Sequence, residues 1–146
     1  MAKQNVIDDF HGSNFFLDNF FPAKTEYDGE TYDTTEHAFQ AAKATNFADK
    51  FKIMTANSPA MAKMLGRTLS LRGDWEYVKR RIMRDIVRAK FRQHPALAKK
   101  LVETGDAQLI EGNTWNDKVW GVCNGEGKNW LGKILMELRE ELKKEA

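Results

Sequence analysis

The stretch DWEYVKRRIMRDIVRAKFRQ, residues 74–93, decides the fold class. Trp75, Val78, Ile82, Ile86 and Ala89 recur at three- and four-residue spacing, so a helix here carries one apolar stripe that other elements must cover. Asp74 stands in the N-cap position before it. Around the stripe lie Lys79, Arg80, Arg81, Arg84, Arg88, Lys90 and Arg92 against Glu76 and Asp85. Such a cationic segment is either a solvated helix face or a surface for phosphates.

Working outward, Ser58-Pro59 is an N-cap followed by proline at the first helical position, and predicts a helix that stops at Gly66. Thr34 predicts the cap of another, running to about Thr45. Asp28-Gly29 between Tyr27 and the pair Thr31, Tyr32 has the chemistry of a tight hairpin turn. Downstream, Pro95 restarts a helix that Gly105 ends, and a last helix carries Leu131, Leu135, Leu138 and Leu142 on one face. Between them GNTWNDKVWGVCNGEGKNW, residues 112–130, fits neither periodicity and reads as a long loop, a length usually reserved for function. The expected architecture is mainly α (α+β): a single helical domain over residues 1–146 with a small antiparallel β-sheet.

At 146 residues the chain has the size of one domain, with no repeat or linker and only three prolines. The lone Cys123 forms no internal bridge, and no Cys and His stand at metal-ligand spacing. No apolar run reaches the roughly 20 residues of a membrane span, and MAKQNVIDDF lacks a signal-peptide core. A cytoplasmic protein without metal or cofactor is expected. The net charge of +2 does not by itself argue for a nucleic-acid partner.

In YDTTEHAFQAAK, residues 32–43, Glu36, Gln40 and Lys43 fall on one side of a helix, a carboxylate, an amide and an amine lining one groove. Equally, Glu36 can complement the helix N-terminus and Lys43 can reach to solvent. His37 has no serine or cysteine placed to complete a triad. Asp117, between Trp115, Asn116 and Trp120, is either a tuned acid or base or the aspartate of an Asx-turn. The glycines of GEGKN resemble a backbone nest for an anion ahead of Asn129, and Arg67 and Arg72 flank a short link where they can fork a phosphate. Trp75 and Trp120 are core residues or platforms for a planar base.

Taken in order, LDNFFP (17–22), YDTTEHAFQAAK, GR (66–67), LRGDW (71–75), AKF (89–91), WNDKVWG (115–121) and GEGKNWLGKILMELR (125–139) resemble the NADAR (YbiA-like) family over nearly the whole chain. The resemblance implies an N-glycosidase that splits ribose from an amino nitrogen. Its substrate would be ADP-ribosylated guanine in nucleic acid or a phosphoribosylamino intermediate of riboflavin synthesis. A non-catalytic ADP-ribose-binding module is the alternative from another class. Glu36 and Asp117 would be the catalytic carboxylates, with Lys43 as the amine of a competing Schiff-base route. Asn19, Phe20, His37, Gln40, Arg67, Arg72, Trp75, Asn116, Trp120, Gly121 and Asn129 would bind substrate. Asp18 departs from the family's L-S-N-F string, where serine is usual.

Overall fold

The computed structural model describes residues 5–145, so part of MAKQNVIDDF lies outside the described residues. The protein is mostly helical with a small two-stranded antiparallel sheet. The chain order is β1 (Val6–Ile7), a 3₁₀ turn (Gly12–Leu17), β2 (Thr25–Tyr27), β3 (Glu30–Tyr32), α1 (Thr35–Ala41), α2 (Phe47–Met54), α3 (Pro59–Gly66), α4 (Trp75–Gln93), α5 (Pro95–Glu103), β4 (Gln108–Leu109) and α6 (Trp130–Glu145). These fall into two units: a middle unit, Asn19–Gln93, and a terminal unit formed by Met1–Asp18 with His94–Ala146.

In the middle unit β2 and β3 pair antiparallel around Asp28 and Gly29, whose φ of 51° and 83° are the left-handed pair a tight hairpin requires. The Thr34 side chain accepts from the His37 N–H and the Ser58 side chain from that of Met61, as their N-cap positions predict. Helix α1 ends at Ala41 rather than near Thr45, because Asn46 turns extended to cap α2, a helix the sequence pattern did not announce. Of the expected stripe, helix α4 buries Trp75, Ile82 and Ile86 and leaves Val78 and Ala89 half-buried. It buries Phe91 and Lys90 as well, with Lys90 Nζ 5.5 Å from the Phe21 ring centre and 5.2 Å from that of Phe91. The cationic face is therefore one residue smaller than its charge pattern implies.

In the terminal unit β1 and β4 form a two-residue parallel pair, and α6 lays Leu131, Ile134, Leu135 and Leu138 into the core beside Leu101 of α5 and Leu109 of β4. Gly132 makes this approach possible, since a Cβ there would stand 2.1 Å from the Leu109 carbonyl. No helix among the described residues is long and apolar enough to cross a membrane.

Candidate active site

The middle unit gathers its candidate side chains around α1. Asn19 anchors the start of that helix: its backbone carbonyl accepts from the Glu36 N–H at 3.1 Å, and its side-chain Oδ1 accepts from the Thr35 hydroxyl at 2.9 Å. Glu36 is thereby fixed in the first turn with 7% of its surface exposed. Gln40, one turn on, donates from Nε2 to Glu36 Oε1 at 2.9 Å. The other end of the amide, Oε1, is buried without a partner and lies against Gly66, where a Cβ would stand 1.9 Å from it. Gly66 is thus what lets the amide turn its donor to the carboxylate.

Lys43 follows on the same stripe, just past the end of α1. Its ammonium lies 5.7 Å from the centre of the Phe39 ring and 5.8 Å from that of Trp75, and those two rings pack 5.1 Å apart. Burial holds the Lys43 pKa below its ordinary 10.5, Glu36 opposes that shift, and the charges of Arg67, Lys63 and Lys79 add to it. Glu36, Gln40, Lys43, Arg67 and Trp75 therefore share one neighbourhood, with Trp75 buried as its wall.

Of the other expected residues of this unit, two are occupied by contacts within the fold. His37 is 1% exposed, with Nδ1 bound to the Thr34 hydroxyl and Nε2 to the Ala56 carbonyl, so both ring nitrogens serve the fold. Arg72 forks onto Asp74 at 2.6 and 3.0 Å, which also takes the Asp74 carboxylate away from helix capping. Phe20 is half-buried.

In the terminal unit the long loop is ordered by side chains rather than by a ladder. Asp117 Oδ1 accepts from the N–H groups of Val119 and Trp120 at 3.0 and 2.9 Å, an Asx-turn. Asn113 clasps the backbone of Asp117 both ways, accepting from its N–H at 3.0 Å and donating to its carbonyl at 2.9 Å. Behind Asn113 stands Glu111, a carboxylate 8% exposed whose Oε2 accepts from Asn113 Nδ2 at 3.0 Å. Gly121 makes room for it: a Cβ there would lie 1.8 Å from Glu111 Oε2 and 2.1 Å from the Glu111 carbonyl.

Asn129, buried, ties Glu111 N–H and the Leu109 carbonyl to the start of α6. Trp120 is half-buried with its ring edge-on to Trp130 at 5.5 Å, while Asn116 is exposed at a left-handed φ of 66°. Glu111 escaped the sequence reading, since nothing periodic marks it. The only local signals were the glycine at 121 and the amide at 113.

A family model, the NADAR domain, matches residues 2–143 and so runs through both units. N-glycosidase YbiA of Escherichia coli (strain K12) is 45% identical over 97% of this chain and 91% of its own length. Riboflavin biosynthesis protein VVA0006 of Vibrio vulnificus is 39% identical over 95% of this chain, which spans 38% of that longer protein. The NMR structure of E. coli YbiA matches the fold with a TM-score of 0.85, at 40% identity, over 99% of this chain and 89% of that one. By the reach of the family model, the identity of full-length relatives and the shared fold, the chain belongs to the NADAR domain family and is an enzyme of the N-glycosidase class.

Proposed function

We propose that this enzyme hydrolyses the bond between ribose and the amino nitrogen of ADP-ribosylated guanine, working on Glu36 and Asp117 within one functional domain. The observation that carries the reading is the buried Glu36 carboxylate, held by the Gln40 amide and faced by the Lys43 ammonium. Cleaving an N-ribosidic bond builds positive charge on the ribose ring, which a fixed carboxylate stabilises far better than water does. Asp117 is the second carboxylate, and its turn uses only Oδ1. Its Oδ2 is then the atom to activate water or protonate the leaving nitrogen, a role worth roughly 10²–10⁴-fold.

Lys43 supports a second route to the same products. An aminoriboside can ring-open to an imine, and the neutral Lys43 amine can add at C1, expel the leaving amine and form a Schiff base that water hydrolyses. A lysine whose pKa burial has lowered suits that step.

A nucleic-acid carrier is favoured by the exposed Arg80, Arg81 and Arg84 of α4. The name of the Vibrio relative favours the other substrate, a phosphoribosylamino pyrimidine of riboflavin synthesis. Incubation with each substrate, following released sugar by mass spectrometry, tests the choice, in a cytoplasm-like reducing buffer. For an oligonucleotide the logarithm of affinity should fall with log salt at roughly −0.7 per phosphate contact, and Arg80→Ala with Arg84→Ala should flatten that slope. Cleavage of the pyrimidine alone, with no salt slope, would transfer the assignment to the metabolite. Cleavage of neither would refute both.

A further inference from the structure

The hairpin of β2 and β3 and helix α2 both pack on α1, and a cavity of about 360 Å³ in the middle unit is lined from all three. That is room for a small ligand, whose sites run from roughly 300 Å³ upward. Ala38, Ala41 and, at the helix cap, Ala42 floor it. With about 3.6 residues to the turn, these alanines project from the side of the helix away from Glu36 and Gln40. The helix itself therefore stands between this cavity and the Glu36 carboxylate.

Its walls carry donors that the fold does not use. Tyr32 lines the cavity and is 2% exposed, yet its hydroxyl forms no hydrogen bond among the described residues. Among those residues the side-chain atoms both sealed from solvent and unpartnered are Gln40 Oε1 and Arg139 Nε, so the Tyr32 hydroxyl is not sealed and opens on the cavity. Burial pushes the Tyr32 pKa up to about 12, with Glu30, Asp28 and Tyr27 adding to the shift, so the phenol stays protonated and donates. From α2, Lys50 brings an ammonium that pairs with no carboxylate among the described residues. Arg72 lines the cavity too but is held by Asp74, and the Asp49 carboxylate beside Lys50 is turned onto Asn46 Nδ2 at 3.1 Å. Asp28, on the hairpin turn, is the one carboxylate of the described lining.

Donors outnumber acceptors here, so a ligand must supply acceptors, and Lys50 favours an anionic one. The rest of the lining favours a flat ring. Phe47, the first residue of α2, is 61% exposed, and with Tyr27 and Tyr32 it offers aromatic faces above a floor of small side chains. We propose that this cavity is a second ligand site, taking a small aromatic acid whose ring lies among Tyr27, Tyr32 and Phe47 and whose carboxylate or phosphate meets Lys50. The site goes beyond the N-glycosidase reading and does not depend on it.

Fluorine NMR of the full-length protein labelled with fluorotyrosine tests it, because the chain has three tyrosines, of which Tyr27 and Tyr32 line the cavity and Tyr77 stands in water. The probes are naphthoate, naphthyl phosphate, naphthol and inorganic phosphate. The two acids should move the Tyr27 and Tyr32 resonances and leave that of Tyr77 in place. Naphthol lacks the charge and inorganic phosphate the ring, and each should bind at least about 10-fold more weakly. Lys50→Ala should bring both acids down to the affinity of naphthol. Tyr32→Phe, read at Tyr27, should weaken them by about 10-fold. Lys50 is half-buried and the Tyr32 hydroxyl bonds nothing in the fold, so both variants should melt near the unmodified protein.

The tighter of the two acids tells whether carboxylate or phosphate is the natural group. Binding should persist in Glu36→Gln, since that change lies across α1 from the cavity. Loss of binding there would place the acids in the candidate active site and overturn the second site while leaving the N-glycosidase reading intact. Naphthol binding as tightly as the acids, affinity unchanged in Lys50→Ala, shifts shared equally by Tyr77, or no binding of either acid overturns the proposal as well. Binding as described, in a protein that cleaves no ribosylamine, keeps this site and refutes the N-glycosidase reading alone.

Discussion

Glu36 and Asp117 are two acids held by opposite means. Glu36 rides on a helix whose backbone does the positioning, and its carboxylate meets a neighbouring side chain, Gln40, one turn along. Asp117 sits where no ladder exists, and one of its own oxygens closes the turn that places it. A helix delivers a carboxylate with little help, whereas a loop needs a chain of side chains to do so, here Glu111 to Asn113 to Asp117. The largest expected effect is on the helical acid. Glu36→Gln should lower turnover by about 10²-fold or more and shift the melting temperature little, because volume is kept while charge is lost. Single-turnover kinetics beside thermal unfolding would check it, and near-normal turnover would return Glu36 to a helix-terminus role.

Two glycines that back the side chains supporting these acids, Gly66 behind Gln40 and Gly121 behind Glu111, sharpen the contrast. At Gly121 an added Cβ meets the Glu111 backbone carbonyl at 2.1 Å, which cannot move without the loop. At Gly66 it meets the far end of the Gln40 side chain at 1.9 Å, which can swing away. Gly121→Ala should therefore cost stability, about 3 kcal/mol. Gly66→Ala should cost about 1 kcal/mol in denaturant unfolding yet lower turnover, by freeing Gln40 from Glu36. If both variants lose the same stability, the helical site is no more self-supporting than the loop.

The same contrast governs what was legible in the sequence. Thr34, Ser58, the Asp28-Gly29 turn and the apolar stripe of α4 carry local signals of cap, turn and period, and each appears in the structure where those signals put it. Helix α2 buries only Ile53 and leaves Phe47 and Phe51 exposed, so it has no stripe to read. Strands β1 and β4, two residues each, are too short for alternation. Lys90 carries a charge that marks it for the cationic face, although it lies four residues past Ile86 and three past Val87, on the buried side of α4. Glu36, Gln40 and Lys43 were visible as a stripe because a helix spaces them. Glu111 was not, because its role depends on Asn113 and on a glycine ten residues away.

A double-mutant cycle asks whether Glu111 acts through Asp117. Glu111→Gln should reduce turnover by about 10-fold with KM little changed, and Asp117→Asn by more. If the chain through Asn113 transmits the effect, the two losses should not add, with a coupling of about 1 kcal/mol. Additive losses would make Glu111 an independent contributor, and a fall in melting temperature that tracks the fall in turnover would make it a structural residue only.

The smallest effect concerns Lys43, where the helical region carries its one displaced titration of mechanistic use. Burial disfavours the ammonium and the neighbouring Arg67, Lys63 and Lys79 charges add to this, while Glu36 pulls the other way. The folded protein thus binds this proton less tightly than the unfolded chain, so Lys43 opposes folding below its folded pKa. That opposition is relieved as pH rises from the lowered value toward 10.5. Competitive acetylation with mass-spectrometric readout should give Lys43 an apparent pKa below those of exposed lysines. In the Glu36→Gln variant the value should drop further, since the negative charge that raises it has gone. A rise on removing Glu36 would mean that the carboxylate and the ammonium do not face each other, and the Schiff-base route would lose its support along with the charge balance of the helical site.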